Sequence, residues 1–283
     1  MRSGFLRVLL SIASVVLLAA SPAHAQQQFI NVLTGGTSGV YYPLGVALSQ
    51  IYGKAMPDAK VSVQATKASA ENLNLLQAGR GEIAFTLADS LSDAWKGDEE
   101  AGFKAPLKKL RGVAGIYRNY IQIVASADSG IKTLADLKGK RLSVGAPKSG
   151  TELNARALLK AAGITYKDLG KVEYLPFGES VELMKNRQLD ATLQSAGLGV
   201  SSLRDLASSV KIVIVPIAPE VIARVGDPAY QSGVIPAKTY EGQNTDVPTA
   251  VVQNFLVTHQ GVPADTVYKM TKSMYDNLDH LVA

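Results

Sequence analysis

The 283-residue chain contains no cysteine and carries a formal net charge of +5. The lack of cysteine excludes a disulfide framework and thiolate chemistry, so a hydrophobic core must stabilise the fold. Because the lysines and arginines form no continuous run, the modest positive charge argues against nucleic acid as a partner, and the length suffices for one large or two medium domains.

Residues 1–25 have the pattern of a secretory signal peptide. Arg2 and Arg7 flank a short apolar run, and Ala23-His24-Ala25 supplies an Ala-x-Ala cleavage site. An uncleaved membrane anchor is the alternative, but Pro22 follows too soon for the ~20 apolar residues of a span. We therefore expect a mature, periplasmic protein that begins near Gln26 and does not span the membrane.

The mature chain opens with a strand, a glycine-containing loop and a helix. An apolar run ends at Thr34, and from Pro43 apolar residues recur with helical spacing up to Ile51. Pro is favoured at a first helical position, which predicts that the helix begins there. The free N–H groups of such a turn, together with the positive end of the helix dipole, suit a carboxylate or a phosphate.

The next elements continue the alternation of strands and helices. Residues 60–65 and 83–87 read as strands, and Ser69 is placed to cap the helix between them. Alternating strands and helices predict an α/β domain with a largely parallel sheet, whose ligands bind at the carboxyl ends of the strands. The loops at 34–42, 66–69 and 88–90 should therefore share one edge.

A second strand, loop and helix occupy residues 141–161. Ser149 and Glu152 have capping-box spacing at the start of this helix. We expect this helix start and the one after Tyr42 to face one another across a cleft between two similar lobes.

Two long extended runs, residues 110–124 and 247–258, are predicted to cross from one lobe to the other. The predicted organisation is a signal peptide at 1–25, a discontinuous first lobe at 26–117 and 246–283, and a second lobe at 118–245. The segment 216–245 could belong to either lobe, and within it Val221 to Tyr240 reads as a helix followed by irregular chain. The tail from Asp265 to Leu281 reads as one helix.

Three motifs of the mature chain occur together: Gly35-Gly36-Thr37-Ser38-Gly39-Val40-Tyr41-Tyr42-Pro43, then Leu134-Ala135-Asp136-Leu137-Lys138-Gly139-Lys140-Arg141 running into Ser143-Val144-Gly145-Ala146-Pro147-Lys148-Ser149-Gly150-Thr151-Glu152, and Ile235-Pro236-Ala237-Lys238-Thr239-Tyr240 ahead of Asp246-Val247-Pro248-Thr249. With the signal peptide, they resemble the TAXI family, the extracytoplasmic solute receptors of TRAP transporters. The resemblance extends over essentially the whole mature chain.

The resemblance implies a two-lobed type II periplasmic-binding-protein fold of the α/β class. Each lobe would be a mostly parallel sheet flanked by helices, and two crossing strands would join the lobes. Such a monomeric receptor closes on a small organic anion and delivers it to the membrane-embedded TRAP permease, without a cofactor or a metal. Glutamate, glutamine and dicarboxylates such as 2-oxoglutarate form the associated ligand class. The resemblance also implies a further tail after Ala283.

The resemblance also implies the ligand contacts, which would come from five loops and the crossing strand. These residues are Thr37, Ser38, Gly39, Tyr42, Ser69, Asp89, Ser90, Tyr117, Ser149, Gly150, Thr151, Ser195, Ala196 and Gly197. Backbone N–H and hydroxyl groups would hold carboxylates, the two tyrosines would form flat walls, and Asp89 would suit an ammonium group. Helix capping is the alternative role of Ser69 and Ser149.

The chain departs from the family pattern in its loops. Ser38 stands where the family usually has glycine, and Thr66-Lys67-Ala68-Ser69 stands where Thr-Gly-Gly-Ser is usual. Lys67 could lie beside the ligand or outside in solvent.

Enzymatic motifs are weak, because no Cys/His metal spacing, Gly-x-Ser-x-Gly elbow or complete phosphate loop is present. Glu152 and Glu179 could in principle act as acid and base of a periplasmic enzyme on the same fold. A periplasmic sensor that hands its closed state to a signalling protein is the other alternative to a transport receptor.

Overall fold

The computed structural model describes residues 27–282, and the predicted signal peptide lies outside this range. Within it the elements follow in the order β1 (Gln28–Leu33), α1 (Tyr41–Ala55), β2 (Ala59–Gln64), α2 (Ser69–Gln77), β3 (Ile83–Leu87), α3 (Ala88–Lys96), β4 (Leu110–Ser126), β5 (Arg141–Ser143), α4 (Gly150–Ala161), β6 (Lys171–Glu173), α5 (Phe177–Lys185), β7 (Ala191–Ala196), α6 (Ser201–Ser209), β8 (Ile212–Val215), α7 (Pro219–Val225), β9 (Gln231–Ile235), β10 (Val247–His259), α8 (Ala264–Tyr275) and α9 (Leu278–Val282).

The first strand group has the order β2-β1-β3-β10-β4. Strands β2, β1 and β3 are parallel, and β10 joins β3 in the antiparallel sense, with Leu256 opposite Phe85. Every residue of β3 is buried, which is typical of a parallel strand covered on both faces.

The second strand group contains the parallel strands β6, β5 and β7. The last part of β4 lies next to β7, with Ile123 opposite Leu193, and β8 pairs with the same part of β4. Strand β9 pairs with the first part of β10. The prediction of irregular chain after the helix in 216–245 is therefore wrong in part, because long-range pairing with β10 makes Gln231–Ile235 a strand.

Strands β4 and β10 connect the two groups. They pair with each other in the antiparallel sense from Leu110 opposite His259 to Tyr120 opposite Val251. The register shifts twice in β10 between Gln253 and Val257, and such bulges bend a strand and increase its twist. The prediction of two crossing strands is confirmed.

Each strand group has its own hydrophobic core. Tyr52 and Phe85 are buried in the first group, while Leu142 and Leu158 are buried in the second. Leu87 at the end of β3 packs with the core of the second group, so the two groups are in direct contact. No helix in residues 27–282 is both long enough and apolar enough to be a membrane span.

Two predicted helix starts require correction. Helix α1 begins at Tyr41, and Pro43 is its third residue rather than its first. Pro is still tolerated there, because first-turn N–H groups have no intrahelical partner. Ser69 does not cap α2 but is its first residue, after Ala68. The Ser69 hydroxyl instead accepts a 3.2 Å hydrogen bond from the N–H of Leu87.

The C-terminal segment forms two helices rather than one. Helix α8 ends at Tyr275, and α9 begins at Leu278. Between them the Asn277 side chain donates to the carbonyl of Ser273 at 2.8 Å. A side-chain amide that bonds the backbone in this way competes with continuation of the helix.

Candidate functional site

A cavity of about 100 Å³ lies between the two strand groups. It is smaller than the ~300–1,000 Å³ pockets that hold drug-sized molecules, so it suits a small ligand. Residues of both groups line it: Gly35, Gly36, Ser38, Gly39, Val40, Tyr41, Thr66, Lys67, Ala68, Ser69, Leu87, Tyr117, Ala146, Ser149, Gly150, Thr151, Pro176, Phe177, Ser195 and Ala196.

Most of the predicted contact residues lie in this wall. They are Ser38, Gly39, Ser69, Tyr117, Ser149, Gly150, Thr151, Ser195 and Ala196. The structure does not bring the other five to the wall: Thr37 is exposed, Tyr42 is half-buried, Asp89 and Ser90 are buried in α3, and Gly197 packs beside Tyr117. Ligand contact by any of these residues remains a prediction.

The first residues of four helices line the cavity. These are Tyr41 of α1 and Ser69 of α2 from the first group, and Gly150 of α4 and Phe177 of α5 from the second. The first turn of a helix carries N–H groups without intrahelical partners and the positive end of the helix dipole. Their convergence makes the cavity favourable for negative charge.

The starts of α2 and α4 are in very close contact. A Cβ atom built on Gly150 would lie 2.6 Å from Ser69 Oγ and 2.7 Å from Leu87 Cδ1. Next to it, the N–H of Glu71 donates to the carbonyl of Lys148 at 3.2 Å. The starts of α1 and α4 lie on the same cavity, as expected for two helix starts that face one another across a cleft, but the direct contact of α4 is with α2.

The loop before α1 instead faces α5 and α6. Ser38 Oγ accepts a 3.0 Å hydrogen bond from the N–H of Gly178, and the Ser38 carbonyl accepts one of 3.2 Å from the Ser201 hydroxyl. The hydroxyl that distinguishes Ser38 from glycine therefore connects the two strand groups. Gly39 approaches the ring of Phe177 from the same side.

The predicted capping box at α4 is only half formed. The Ser149 hydroxyl accepts from the N–H of Glu152 at 3.1 Å, which confirms its capping role. The Glu152 carboxylate instead pairs with Arg156 at 2.8 Å and accepts a 3.0 Å hydrogen bond from Tyr166. Glu152 is therefore held by structural contacts and lies outside the cavity lining.

Two tyrosines and a phenylalanine form the aromatic walls. Tyr41 lines the cavity in place of the predicted Tyr42, since adjacent helical residues point in directions about 100° apart. Tyr41 stacks on Phe85 with ring centroids 4.9 Å apart, and its hydroxyl donates to Asn254. Burial raises the pKa of Tyr41 and Tyr117 well above the ordinary value, so both remain neutral.

Asp89 lies behind the wall, in a hydrogen-bonded cluster that joins the two strand groups. Its Oδ2 accepts from Asn154 Nδ2 at 2.6 Å and from the Tyr230 hydroxyl at 2.7 Å. Ser195 Oγ, which lines the cavity, donates to Asn154 Oδ1 at 2.6 Å. Burial raises the pKa of Asp89 to about 6.

Sequence reasoning missed several wall residues. Pro176 and Phe177 belong to a loop and helix start that gave no glycine or capping signal, while Ala68 has a positive φ value of 69°. Ala68 stands at a loop position where the related pattern has glycine, and that substitution was the one available signal of unusual backbone. Lys67 is exposed in solvent but also lines the cavity.

Solved structures with similar folds include a periplasmic transporter and ligand-binding proteins. A periplasmic transporter matches with a TM-score of 0.58 and 14% identity over 89% of this chain and 83% of that one. An ancestral arginine-binding protein bound to arginine matches with a TM-score of 0.52 and 16% identity over 91% of this chain and 96% of that one. The periplasmic aliphatic sulphonate binding protein SsuA from Escherichia coli matches with a TM-score of 0.50 and 14% identity over 90% of this chain and 72% of that one. At these identities the likeness shows the fold alone, and it confirms the type II periplasmic-binding-protein prediction.

A family model gives the most specific comparison. The model of the NMT1-like family matches residues 32–283, which include both strand groups and all four helix starts at the cavity. The chain therefore belongs to the NMT1-like family.

Proposed function

We propose that this protein is an extracytoplasmic solute receptor that binds a small organic anion in the cavity between its two strand groups. The observation that carries the proposal is the convergence of four helix starts, two from each group, on one cavity. A ligand held from both sides stabilises the closed arrangement, because only that arrangement makes all the contacts at once. A non-catalytic role is consistent with this fold.

The proposed lobes follow the two strand groups. We assign residues 26–117 and 246–283 to the first lobe and 118–245 to the second, with β4 and β10 as the hinge. The segment 216–245 is placed in the second lobe, since Val221, Ile222 and Tyr230 pack in the core of that strand group. Hinge bending at the irregular part of β10 would open the cavity.

The proposed partner is a TRAP-type secondary permease in the membrane. The signal-peptide pattern and the TAXI-like motifs support export to the periplasm and delivery to such a permease. Glutamate, glutamine and dicarboxylates such as 2-oxoglutarate form the ligand class that this resemblance suggests.

A thermal-shift screen of the purified mature protein tests the proposal. A ligand that binds only the native state must raise the melting temperature by mass action. We expect a shift of several degrees with at least one small organic anion and none with sugars. Failure of every amino acid, organic acid, sulfonate and phosphate in saturation calorimetry would overturn the receptor function.

A further inference from the structure

Building on the proposed receptor function, we propose that the cavity selects a small carboxylate that carries no ammonium group. The structure favours α-oxo acids and unsubstituted organic acids over the corresponding α-amino acids. Within the described part of the chain, the cavity lining offers donors for a negatively charged carboxylate but no anionic group for a positively charged ammonium.

The carboxylate end of such a ligand has partners. In α2 the N–H groups of Glu71 and Asn72 are used by the carbonyls of Lys148 and Ala68, which leaves the N–H of Ser69 for a ligand. In α4 the N–H of Glu152 is used by the Ser149 hydroxyl, which leaves that of Thr151. Ser69 and Thr151 both line the cavity, so two helix starts present donors to the same space.

An ammonium group has no anionic partner in the wall. Among the cavity-lining residues of the described chain, Lys67 is the one that bears a charge, and this charge is positive. The wall hydroxyls are neutral: Ser69 and Ser149 each accept one hydrogen bond, and Ser195 Oγ donates to Asn154, so an ammonium group would meet acceptor oxygens without a balancing charge. A buried charge without a partner is strongly unfavourable.

Two carboxylates lie near the wall but outside the cavity lining. Glu71 Oε2 accepts a 2.6 Å hydrogen bond from the backbone N–H of the wall residue Lys67, and Asp89 lies behind the wall. Asp89 is only 2% exposed, and it accepts hydrogen bonds from Asn154 and Tyr230. It reaches the cavity only through Asn154 and Ser195. Its Oδ1 has no hydrogen-bond partner among the described residues, but Asp89 lies outside the cavity lining, and turning it toward a ligand ammonium would break both bonds of Oδ2.

The remaining wall is apolar or aromatic and adds no negative charge. Val40, Leu87, Pro176 and Phe177 contribute hydrocarbon surface. Such a surface accepts the uncharged body of an organic acid, whereas it cannot solvate an ammonium group.

Matched pairs of ligands test the inference. In each pair the two compounds differ only in the oxo or amino group: pyruvate and alanine, 4-methyl-2-oxopentanoate and leucine, and 2-oxoglutarate and glutamate. Calorimetric titration of the mature protein at pH 7.5 should give a dissociation constant at least tenfold lower for the oxo acid in every pair that binds.

The possible outcomes separate this inference from the receptor function. Equal or tighter binding of the amino acid would overturn the inference and leave the receptor function intact. Absence of binding for all six compounds would overturn the inference, while the wider anion screen would decide the receptor function by itself.

A variant pair supplies a second, independent test. Thr151→Asp places a carboxylate in the cavity wall at the first turn of α4, where a negative charge is compatible with the helix dipole. Thr151→Asn is the uncharged control of nearly the same size. We expect Thr151→Asp to lower the affinity for the oxo acid at least tenfold relative to Thr151→Asn. The same variant should reduce or reverse the preference for the oxo acid over the amino acid. An unchanged preference in two folded variants would overturn the inference.

Discussion

The two sides of the cavity bring the strand groups together in different ways. At the α2–α4 contact, Gly150 leaves no space for a side chain against Ser69 and Leu87. At the α1–α5 contact, the Ser38 hydroxyl connects the loop before α1 to the first turn of α5 by a hydrogen bond from the N–H of Gly178. The first contact therefore combines close steric fit with one backbone hydrogen bond, whereas the second depends on polar groups of Ser38.

This difference shows that two loops followed by helix starts can make different kinds of tertiary contact. Both sides are built from helix starts that follow loops, yet one is packed by backbone proximity and the other is bridged by a hydroxyl. Substitutions on the α2–α4 side should consequently have the larger effects.

The largest effect is expected for Gly150→Ala. The added methyl would approach Ser69 Oγ to 2.6 Å, and overpacking of this kind costs about 1–3 kcal/mol. Because the proposed hinge opening would separate these atoms, we expect ligand affinity to fall roughly 10- to 100-fold with a smaller loss of unliganded stability. Titration calorimetry and thermal melting measure the two quantities.

The matched control is Gly53→Ala in α1, where a Cβ atom meets nothing within 4 Å. This variant should bind as the native protein does. Native affinity in the Gly150→Ala variant would show that the α2–α4 contact is not required for binding.

The Asp89 cluster adjoins the α2–α4 contact and predicts a pH effect. Its pKa of about 6 lies above the ordinary value of 3.8, so the folded state binds the proton more tightly than the unfolded state. The associated stability is present at low pH and is lost as the pH rises through about 6. From Asp89 alone, the free energy of unfolding should fall by on the order of 2 kcal/mol between pH 4.5 and 7.5.

Urea denaturation at both pH values tests this prediction, and Asp89→Asn should reduce the dependence by the part that comes from Asp89. Asp93, whose pKa is also raised to about 6, shifts stability in the same direction, so Asp93→Asn provides the comparison. Three carboxyls have lowered pKa values, so they change the free energy of unfolding only below about pH 4. They belong to Asp136, Asp168 and Asp190. An identical pH slope in Asp89→Asn and the native protein would contradict the assignment.

A smaller effect is expected for Ser38→Ala at the α1–α5 contact. The variant loses the acceptor of the Gly178 N–H, and one such hydrogen bond contributes about 1 kcal/mol, or roughly fivefold in affinity. Ser208→Ala removes a hydroxyl that bonds within α6, and it should leave affinity unchanged. Equal affinities of the two variants would mean that the Ser38 hydroxyl does not stabilise closure.

The smallest effect is expected for Ala68→Gly, before α2. A non-glycine residue with φ of 69° is strained by about 1 kcal/mol, which glycine relieves. We expect the free energy of unfolding to rise by about 0.5–1 kcal/mol in urea denaturation. Ala70→Gly, inside the same helix, should lower it by about 1 kcal/mol or more, and a loss in both variants would contradict the strain at Ala68.

Local chemistry explains what could be predicted. Helical spacing after Tyr42, the alternation of strands and helices, and the Ser149 cap are properties of short segments, and the structure contains the corresponding elements. The two crossing strands were also visible, because each is a long run of extended, apolar sequence.

The partners of these elements could not be predicted in the same way. Three features depend on contacts between residues far apart in the chain. They are the contact of α4 with α2, the hydrogen bonds of Asp89 with Asn154 and Tyr230, and the pairing of β9 with β10.

The sequence by itself therefore determined the alternation of strands and helices, the approximate starts of α1 and α2 and the Ser149 cap of α4, because capping and periodicity act within a few residues. Only the tertiary structure decided that four helix starts meet at one cavity and that Asp89 is withdrawn from it. The physical reason is that the packing of two strand groups about β4 and β10 sets which side chains meet, and no local pattern encodes that arrangement.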